Sequence, residues 1–302
     1  MTALHSRIIN FTKLRRTFAM KPIIIPSHYN YIATFITLSC NLTCSYCINR
    51  FDDFRYTKGH LTGEEWVKGL NRIVSRHDLP VTIGGGEPSL HPDFAAIING
   101  ITPALNIDLL TNLEFDVDRF MAEISPERIK RDAPYASIRV SYHPEVMALE
   151  PLVAKVRKML HAGYSIGIWG VLHPDQEDEI LRAQEQCRSV GIDFRTKEFL
   201  GECNGEMYGT IRYPGACDRT GTKHVQCRTT ELIIGPTGHI YRCHSDLYEG
   251  RAPIGHLLDP EFQIDSSFRP CEWFGHCNPC DVKVKTNRYQ EFGHTSVEIE
   301  LD

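Results

Sequence analysis

The sequence has no excess of basic residues. Lysine and arginine total 33 against 38 aspartates and glutamates, a formal charge of −5. The electrostatic footprint of a nucleic-acid binder is therefore missing. Long apolar runs are missing too: stretches such as Ile23–Ile25 are far too short to cross a bilayer. Residues 7–21 (RIINFTKLRRTFAMK) mix basic and apolar positions without the apolar core and small-residue cleavage site of a secretory leader. They read as an amphipathic arm or helix packed on the domain, with a membrane or partner contact as the lesser option. No repeat and no low-complexity tract interrupts the chain. With 42% hydrophobic and 24% charged residues, its 302 positions exclude long-range disorder, collagen and coiled coil as the main architecture. A chain of this length makes one large α/β domain with an appendage, or two modest domains. Cysteine, by contrast, is abundant: there are 11, an odd number that disulfides alone cannot pair. In a chain read as cytoplasmic, such cysteines point to metal or redox chemistry.

From about residue 33 to 200 the pattern alternates strand and helix. The expected strands are Phe35–Ser39, Val81–Ile83, Ile107–Thr111, Ile138–Ser141, Ile166–Leu172 and Ile192–Phe199. A helix over residues 62–76 carries Trp66, Leu70, Ile73 and Val74 on one face, and Thr62 with Glu65 forms a capping-box start. Pro92 suits the first turn of the next helix, which turns Phe94, Ile97 and Ile98 inward. Val117, Phe120, Met121 and Ile124 mark a third helix. Leu152, Val153, Val156, Met159 and Leu160 mark a fourth, which stops at Gly163. A fifth follows the fifth strand and runs through Val190. Six such repeats imply a parallel sheet with right-handed crossovers, whose strand C-terminal ends carry the chemistry. After about residue 201 the alternation stops, and seven of the cysteines lie between 203 and 280. Glu231–Ile234 and His239–Cys243 flank Gly-Pro-Thr-Gly, a hairpin signal. The chain thus divides into an arm (1–32), a barrel-like unit (33–200) and a small metal-stapled unit (201–302) with too little apolar content for a self-sufficient core.

Two motifs stand at strand ends. Cys40-Asn-Leu-Thr-Cys44-Ser-Tyr-Cys47 places three thiols in eight residues on one loop. Thiolates hold zinc and iron–sulfur clusters alike, but a structural zinc closes its shell with four ligands. Three cysteines leave one metal position open, unless a distant residue such as His60 completes a zinc site. Gly84-Gly85-Gly86-Glu87-Pro88 ends the second strand. It is neither a dinucleotide fingerprint nor a phosphate loop. Its glycines let a backbone come close to a ligand, and Glu87 can neutralise an ammonium group; alone, the run reads equally as a tight turn.

Together, CxxxCxxC with Tyr46 before the third cysteine and GGGEP after the next strand resemble the radical S-adenosylmethionine superfamily, over about residues 33–200. The resemblance implies a partial (β/α)6 TIM barrel. It implies that Cys40, Cys44 and Cys47 hold a 4Fe-4S cluster and that S-adenosylmethionine chelates the fourth iron. Tyr46 then lies near the adenine, and Gly84, Gly85, Gly86 and Glu87 receive the methionine amino group. Asn112 and Ser141 look like ribose or carboxylate contacts, and Val171 like the adenine-packing position. Thr-Asn-Leu at 111–113 departs from the Thr-Asn-Gly of many relatives. The implied chemistry is reductive cleavage to a 5′-deoxyadenosyl radical that takes hydrogen from an unactivated C–H bond, with a flavodoxin- or ferredoxin-type electron donor as partner.

The tail, Cys227-x10-Gly238-x4-Cys243 followed by Cys277-Asn-Pro-Cys280, resembles SPASM/twitch auxiliary domains. That implies one auxiliary 4Fe-4S cluster on Cys227, Cys243, Cys277 and Cys280, with structural zinc and two clusters as alternatives. The Cys271-x5-Cys277-x2-Cys280 set does not reproduce a full SPASM run. Cys187 shares a helix face with Ile180 and Ala183 and reads as a small core residue. Cys203, Cys217 and Cys271 are each inert, cluster-bound or hydrogen-donating. His143, His173, Arg195, Lys197 and Glu198 are candidates to face the substrate; of these His143, Arg195 and Lys197, with Cys203, are expected to be catalytic. The expected activity is dehydrogenation or epimerisation of a small molecule, with no nucleic-acid partner. The alternative is a peptide maturase that forms thioether or carbon–carbon crosslinks, disfavoured because only about 32 residues precede the first strand. A plain electron carrier would need neither the open iron nor the glycine loop.

Overall fold

The computed structural model describes residues 20–47, 59–285 and 293–300. The arm expected over 7–21 lies almost wholly outside the described residues.

Six parallel strands form the centre: β1 (Tyr31–Thr37), β2 (Val81–Gly85), β3 (Ile107–Thr111), β4 (Ile138–Tyr142), β5 (Ile166–Leu172) and β6 (Phe194–Glu198). They pair in sequential order. Helices α1 (Gly63–Leu70), α2 (Phe94–Gly100), α3 (Val117–Glu123), α4 (Leu149–His161) and α5 (Glu177–Ser189) fill the connections between them. Strand geometry sends alternate side chains to opposite faces. Ile32, Val81, Ile83, Ile107, Leu109, Ile138, Val140, Ile166 and Ile168 point outward into the main core under the helices. Between them, Thr82, Gly84, Asn112, Arg139, Ser141 and Lys197 point inward and line a cavity. A sheet covered on one side by helices and wet on the other thus explains why only half of each strand is apolar.

The capping box at Thr62 is present: Thr62 Oγ1 accepts from Glu65 N–H at 3.3 Å, and Glu65 accepts from Thr62 N–H at 2.9 Å. The helix it starts is shorter than expected and ends at Leu70. The Asn71 amide donates to Gly100 O at 2.9 Å and its carbonyl accepts from Thr102 N–H at 2.7 Å, which ties the end of α1 to the end of α2. The β-branched pair Ile73–Val74 then extends and pairs in parallel with Ile23–Ile24. Pro92 stands ahead of α2 rather than in its first turn, because Asp93 is the N-cap residue. Asp93 spends its carboxylate on Gly63 N–H, at 2.8 Å, and so closes the start of α1 instead.

The tail provides β7 (Lys223–Thr229), β8 (Glu231–Ile234), β9 (His239–Tyr241), α6 (His244–Tyr248), β10 (Gly255–His256), β11 (Arg269–Phe274), α7 (Pro279–Val282) and β12 (Val297–Glu300). The expected β8–β9 hairpin forms, but β8 also pairs in parallel with β1. Among the described residues the central sheet therefore has nine strands, in the order β10-β9-β8-β1-β2-β3-β4-β5-β6. β11, β7 and β12 make a separate antiparallel sheet. It has its own small core of Ala216, Cys217, Val225, Cys227, Phe274 and Val282.

Candidate metal centre and active-site cavity

Cys40 follows β1, and the loop it opens is fastened to the ends of β3 and β4. Asn41 donates to Glu114 O at 3.1 Å and accepts from the Asn112 amide at 2.7 Å. Glu145 accepts from Ser45 N–H at 2.6 Å and from the Ser45 hydroxyl at 2.7 Å. Tyr46 Oη meets His143 Nδ1 at 2.9 Å. Cys47 N–H closes a turn on Cys44 O at 3.2 Å. The three thiols are all free and all line the cavity. Burial, with Glu87 and the Cys47 thiol adding to it, pushes Cys40 up; burial with Cys47 and Glu145 beside it pushes Cys44 up to about 12. Without a cation Cys40 and Cys44 hold their protons; a cationic metal centre reverses that preference and takes cysteines as thiolates. Three convergent soft donors without a fourth protein cysteine in the loop fit a 4Fe-4S cluster with one iron left to a ligand.

The glycine run lies directly against this loop. Gly86 N–H donates to Thr37 O at 3.0 Å and Glu87 N–H to Ser39 O at 2.8 Å. A Cβ on Gly85 would stand 2.0 Å from Thr37 O, and one on Gly86 2.2 Å from Ser39 O. Gly85 also has a φ of +150°. These two glycines are required by the approach of two backbones. Gly84 differs: its nearest neighbour would be Leu110 at 3.6 Å, ordinary contact, so the protein itself does not demand a glycine there.

Glu87 does not reach into the cavity. Its side chain is wholly buried and accepts from Ser89 N–H at 3.1 Å, Thr111 Oγ1 at 2.9 Å and Asn112 N–H at 2.7 Å. Burial pushes its carboxyl up against these contacts. Its place is that of a brace between β2 and β3. Leu113, where many relatives carry glycine, adopts a φ of 61° and its N–H donates to Thr111 Oγ1 at 2.9 Å.

The cavity measures ≈ 1310 Å³. Tyr46, Gly84, Gly85, Gly86, Asn112, Ser141, His143, Val171 and Lys197 line it, as do Glu198 and Cys280. His143 is held neutral: burial lowers it to about 4, partly opposed by Glu145. Arg195 corrects the expectation that it shares a substrate-facing side with Lys197. It sits at the opposite end of β6, donates to Asp193 at 2.9 Å and lies over the Trp169 ring, 5.9 Å from its centroid. A one-strand alternation gives the face but not the end. Cys203 is also away from the cavity lining, with its thiol 3.9 Å from Asp175 Oδ2.

The tail closes the far wall with residues that spacing rules did not single out. Glu231, His244, Lys283 and Lys285 all line the cavity. Glu231 is fully buried; burial pushes its carboxyl up, but Lys285 and His244 outweigh that and hold it below the usual carboxylate range. Lys285 donates to it and to Ser296, and Lys283 pairs with Glu198 at 3.2 Å. Asp281 accepts from His244 N–H at 2.8 Å and Ser245 N–H at 2.9 Å. The legible signal was a charge inside the otherwise apolar run Glu231–Ile234, since charges are rarely buried unpaired.

Of the tail cysteines, Cys217, Cys227, Cys243, Cys271 and Cys277 belong to one apolar cluster. The Cys227 thiol donates to Cys271, which pushes Cys227 up and holds Cys271 below the usual thiol range. Cys280 turns to the cavity side, pushed up to about 11 mainly by burial. Cys187 is fully buried on α5 beside Ile180 and Ala183.

A sequential run of parallel strands that carries three thiols and a close-packed glycine turn along one cavity is the arrangement of a metal-cluster enzyme domain. Residues 34–197, more than half of the chain, match the Radical SAM superfamily, and the chain belongs to that family. Members are enzymes of radical chemistry, and the family implies a 4Fe-4S cluster and S-adenosylmethionine. The chain is 33% identical over 79 residues to an S-adenosylmethionine-dependent nucleotide dehydratase of Selenomonas ruminantium, covering 26% of this chain and 27% of that one. It is 28% identical over 136 residues to a PqqA peptide cyclase of Bradyrhizobium diazoefficiens, covering 44% and 34%. It is 24% identical over 201 residues to a GTP 3′,8-cyclase of Clostridium perfringens, covering 61% and 62%. The chain thus spans about a quarter to under two thirds of these relatives' lengths. Its fold is similar to that of native anSMEcpe with bound AdoMet and Kp18Cys peptide: TM-score 0.51, 14% identity, 90% of this chain and 93% of that one. No helix among the described residues is long and apolar enough to cross a membrane.

Proposed function

We propose that this radical enzyme dehydrogenates a polar small molecule, with a second 4Fe-4S cluster in the tail as electron acceptor. The observation that carries this reading is the shared cavity: Cys40, Cys44 and Cys47 line one wall, and Cys280 with Lys283, Lys285 and Glu231 lines another. A 4Fe-4S cluster held by Cys40, Cys44 and Cys47, with S-adenosylmethionine beside it, would supply radical chemistry at a substrate C–H bond. The chain's own residues then orient and protect. Gly84, Gly85 and Gly86 offer a bare backbone edge to the methionine end. Asn112 and Ser141 offer polar contacts to ribose or carboxylate, and Val171 an apolar one to adenine. Tyr46, packed between His143 and His173, fixes the far end of the loop. Neutral His143 is a proton acceptor on the wall, and Lys197 beside it favours an anionic or polar substrate group.

Cys227, Cys243, Cys271 and Cys277 share one apolar cluster and supply four thiols for the second cluster, so Cys271 takes the place expected of Cys280, which lies on the cavity side. Epimerisation is disfavoured because the thiol suited to return hydrogen, Cys203, lies outside the cavity lining. A peptide substrate is the second reading, favoured by the similarity to a peptide cyclase. An electron donor of the flavodoxin or ferredoxin type completes the cycle.

Anaerobic reconstitution tests this. The native chain should bind about eight iron, two 4Fe-4S clusters. Changing Cys40, Cys44 and Cys47 to Ala should leave about four and abolish 5′-deoxyadenosine. Changing Cys227 and Cys243 to Ala should also leave about four while S-adenosylmethionine cleavage persists. About four iron in the native chain would remove the second cluster.

A further inference from the structure

Beside the cavity, but outside its lining, three different donor types converge. His173 follows β5, Asp175 lies two residues on, and Cys203 ends the first strand of a small hairpin, Gly201–Cys203 paired with Glu206–Tyr208. His173 Nδ1, which accepts from Asp175 N–H at 3.3 Å and would exchange that contact for a metal, is 4.0 Å from Asp175 Oδ2, and Cys203 Sγ is 3.9 Å from the same oxygen. One nitrogen, one oxygen and one sulfur lie within 4.8 Å of one another. Tetrahedral zinc, with bonds of about 2.0 Å to nitrogen or oxygen and about 2.3 Å to sulfur, spaces its ligand atoms by about 3.5 Å. A contraction of roughly half an ångström per donor would reach that geometry.

We propose that His173, Asp175 and Cys203 form a binding site for a divalent transition-metal ion, zinc by preference, that fastens the 201–208 hairpin to the end of β5. The mixed donor set selects the class of ion. A thiol excludes calcium and magnesium, which take oxygen ligands, and an imidazole with a carboxylate is unlike the all-thiol loop that suits iron–sulfur. Burial is graded as such a site needs. Cys203 is buried and the His173 side chain is 12% exposed, whereas the Asp175 side chain is 65% exposed and leaves an entry path and a fourth position for water. Binding displaces the Cys203 proton to solvent and forms a metal–thiolate bond, with no redox change.

The site has a mechanical consequence. The His173 ring packs on Phe199 at 4.5 Å and on Tyr46 at 5.1 Å, and Phe199 packs on Tyr208 at 5.8 Å. A metal on His173 would therefore lock the hairpin, Phe199 and the cysteine loop's Tyr46 into one unit at the edge of the cavity. This inference does not depend on the substrate or on the tail cluster.

The test uses the full chain with its iron–sulfur centres reconstituted, dialysed anaerobically against zinc. Zinc and iron are counted together by mass spectrometry. The native chain should hold about one more zinc than Asp175→Asn and Cys203→Ser, with iron equal in all three. Asp175 is exposed, so its variant is not expected to disturb the fold, and equal iron checks this. X-ray absorption at the zinc edge should show one sulfur and the rest nitrogen or oxygen. Equal zinc in native and variant chains, or a zinc edge dominated by sulfur, overturns the proposal. Either result would leave S-adenosylmethionine cleavage and iron content, the measures of the proposed function, untouched.

Discussion

Glu87→Gln separates two roles for one carboxylate. If Glu87 meets an ammonium group in the cavity, the amide should weaken ligand binding and leave the fold intact. The geometry assigns it the opposite role. Its two oxygens accept from Ser89 N–H, Thr111 Oγ1 and Asn112 N–H in a space with no solvent exposure. A glutamine has one acceptor, so its NH2 must face one of those backbone donors. Each hydrogen bond to a charged group is worth about 1.5–3 kcal/mol, and an orphaned buried donor costs about 1–3 kcal/mol. Against this, burial pushes the Glu87 carboxyl up, so the neutral amide escapes part of the cost of burying a charge. The balance falls at the low end, a loss of about 2 kcal/mol, or about 3 °C in Tm for a chain of this size. Thermal unfolding followed by circular dichroism under anaerobic conditions measures it. An unchanged Tm with weakened S-adenosylmethionine binding would refute the brace and restore the ammonium contact.

The glycines divide by the same logic. Gly86→Ala should prevent stable folding, since its Cβ would meet Ser39 O at 2.2 Å. Gly84→Ala should fold, with Leu110 at 3.6 Å, yet bind S-adenosylmethionine at least tenfold more weakly, a change of about 1.4 kcal/mol. Equilibrium dialysis decides, and undiminished binding by Gly84→Ala would remove that residue from the ligand site. Burial lowers His143 to about 4. Between that value and its ordinary one the unfolded chain binds more protons, so stability rises with pH there. Acidifying from pH 7 to pH 5 should cost about 2 kcal/mol, and His143→Gln should flatten that slope; an identical slope in the variant would exclude His143 as its source.

The sequence shows the parallel run clearly because each strand is bounded by a helix with its own period. Ile107–Thr111 and Ile166–Leu172 coincide with the observed strands. The long α1 was over-read because Ile73 and Val74 continue its apolar stripe; what ends the helix is a contact between Asn71 and the end of α2, 29 residues away. The cysteine loop and glycine turn were legible because their chemistry is local. The brace by Glu87 was not, since a carboxylate at a turn carries no mark of which way it faces. Arg195 failed for the related reason that period two fixes a side of the sheet, not a height along it. Glu231 comes to the cavity because β8 pairs with β1, a contact across 200 residues that no local pattern encodes, and Lys285 and Lys283 reach it through their ion pairs with Glu231 and Glu198.

That pairing also orders the protein's assembly. Until residues 231–234 have left the ribosome, the strand that leads into the thiol loop has an open flank on one side. Closing it requires a loop of about 200 residues, an entropic toll that makes such a step slow and late. A chain interrupted before that point would display an unsealed, apolar ribbon ready to stick to other chains.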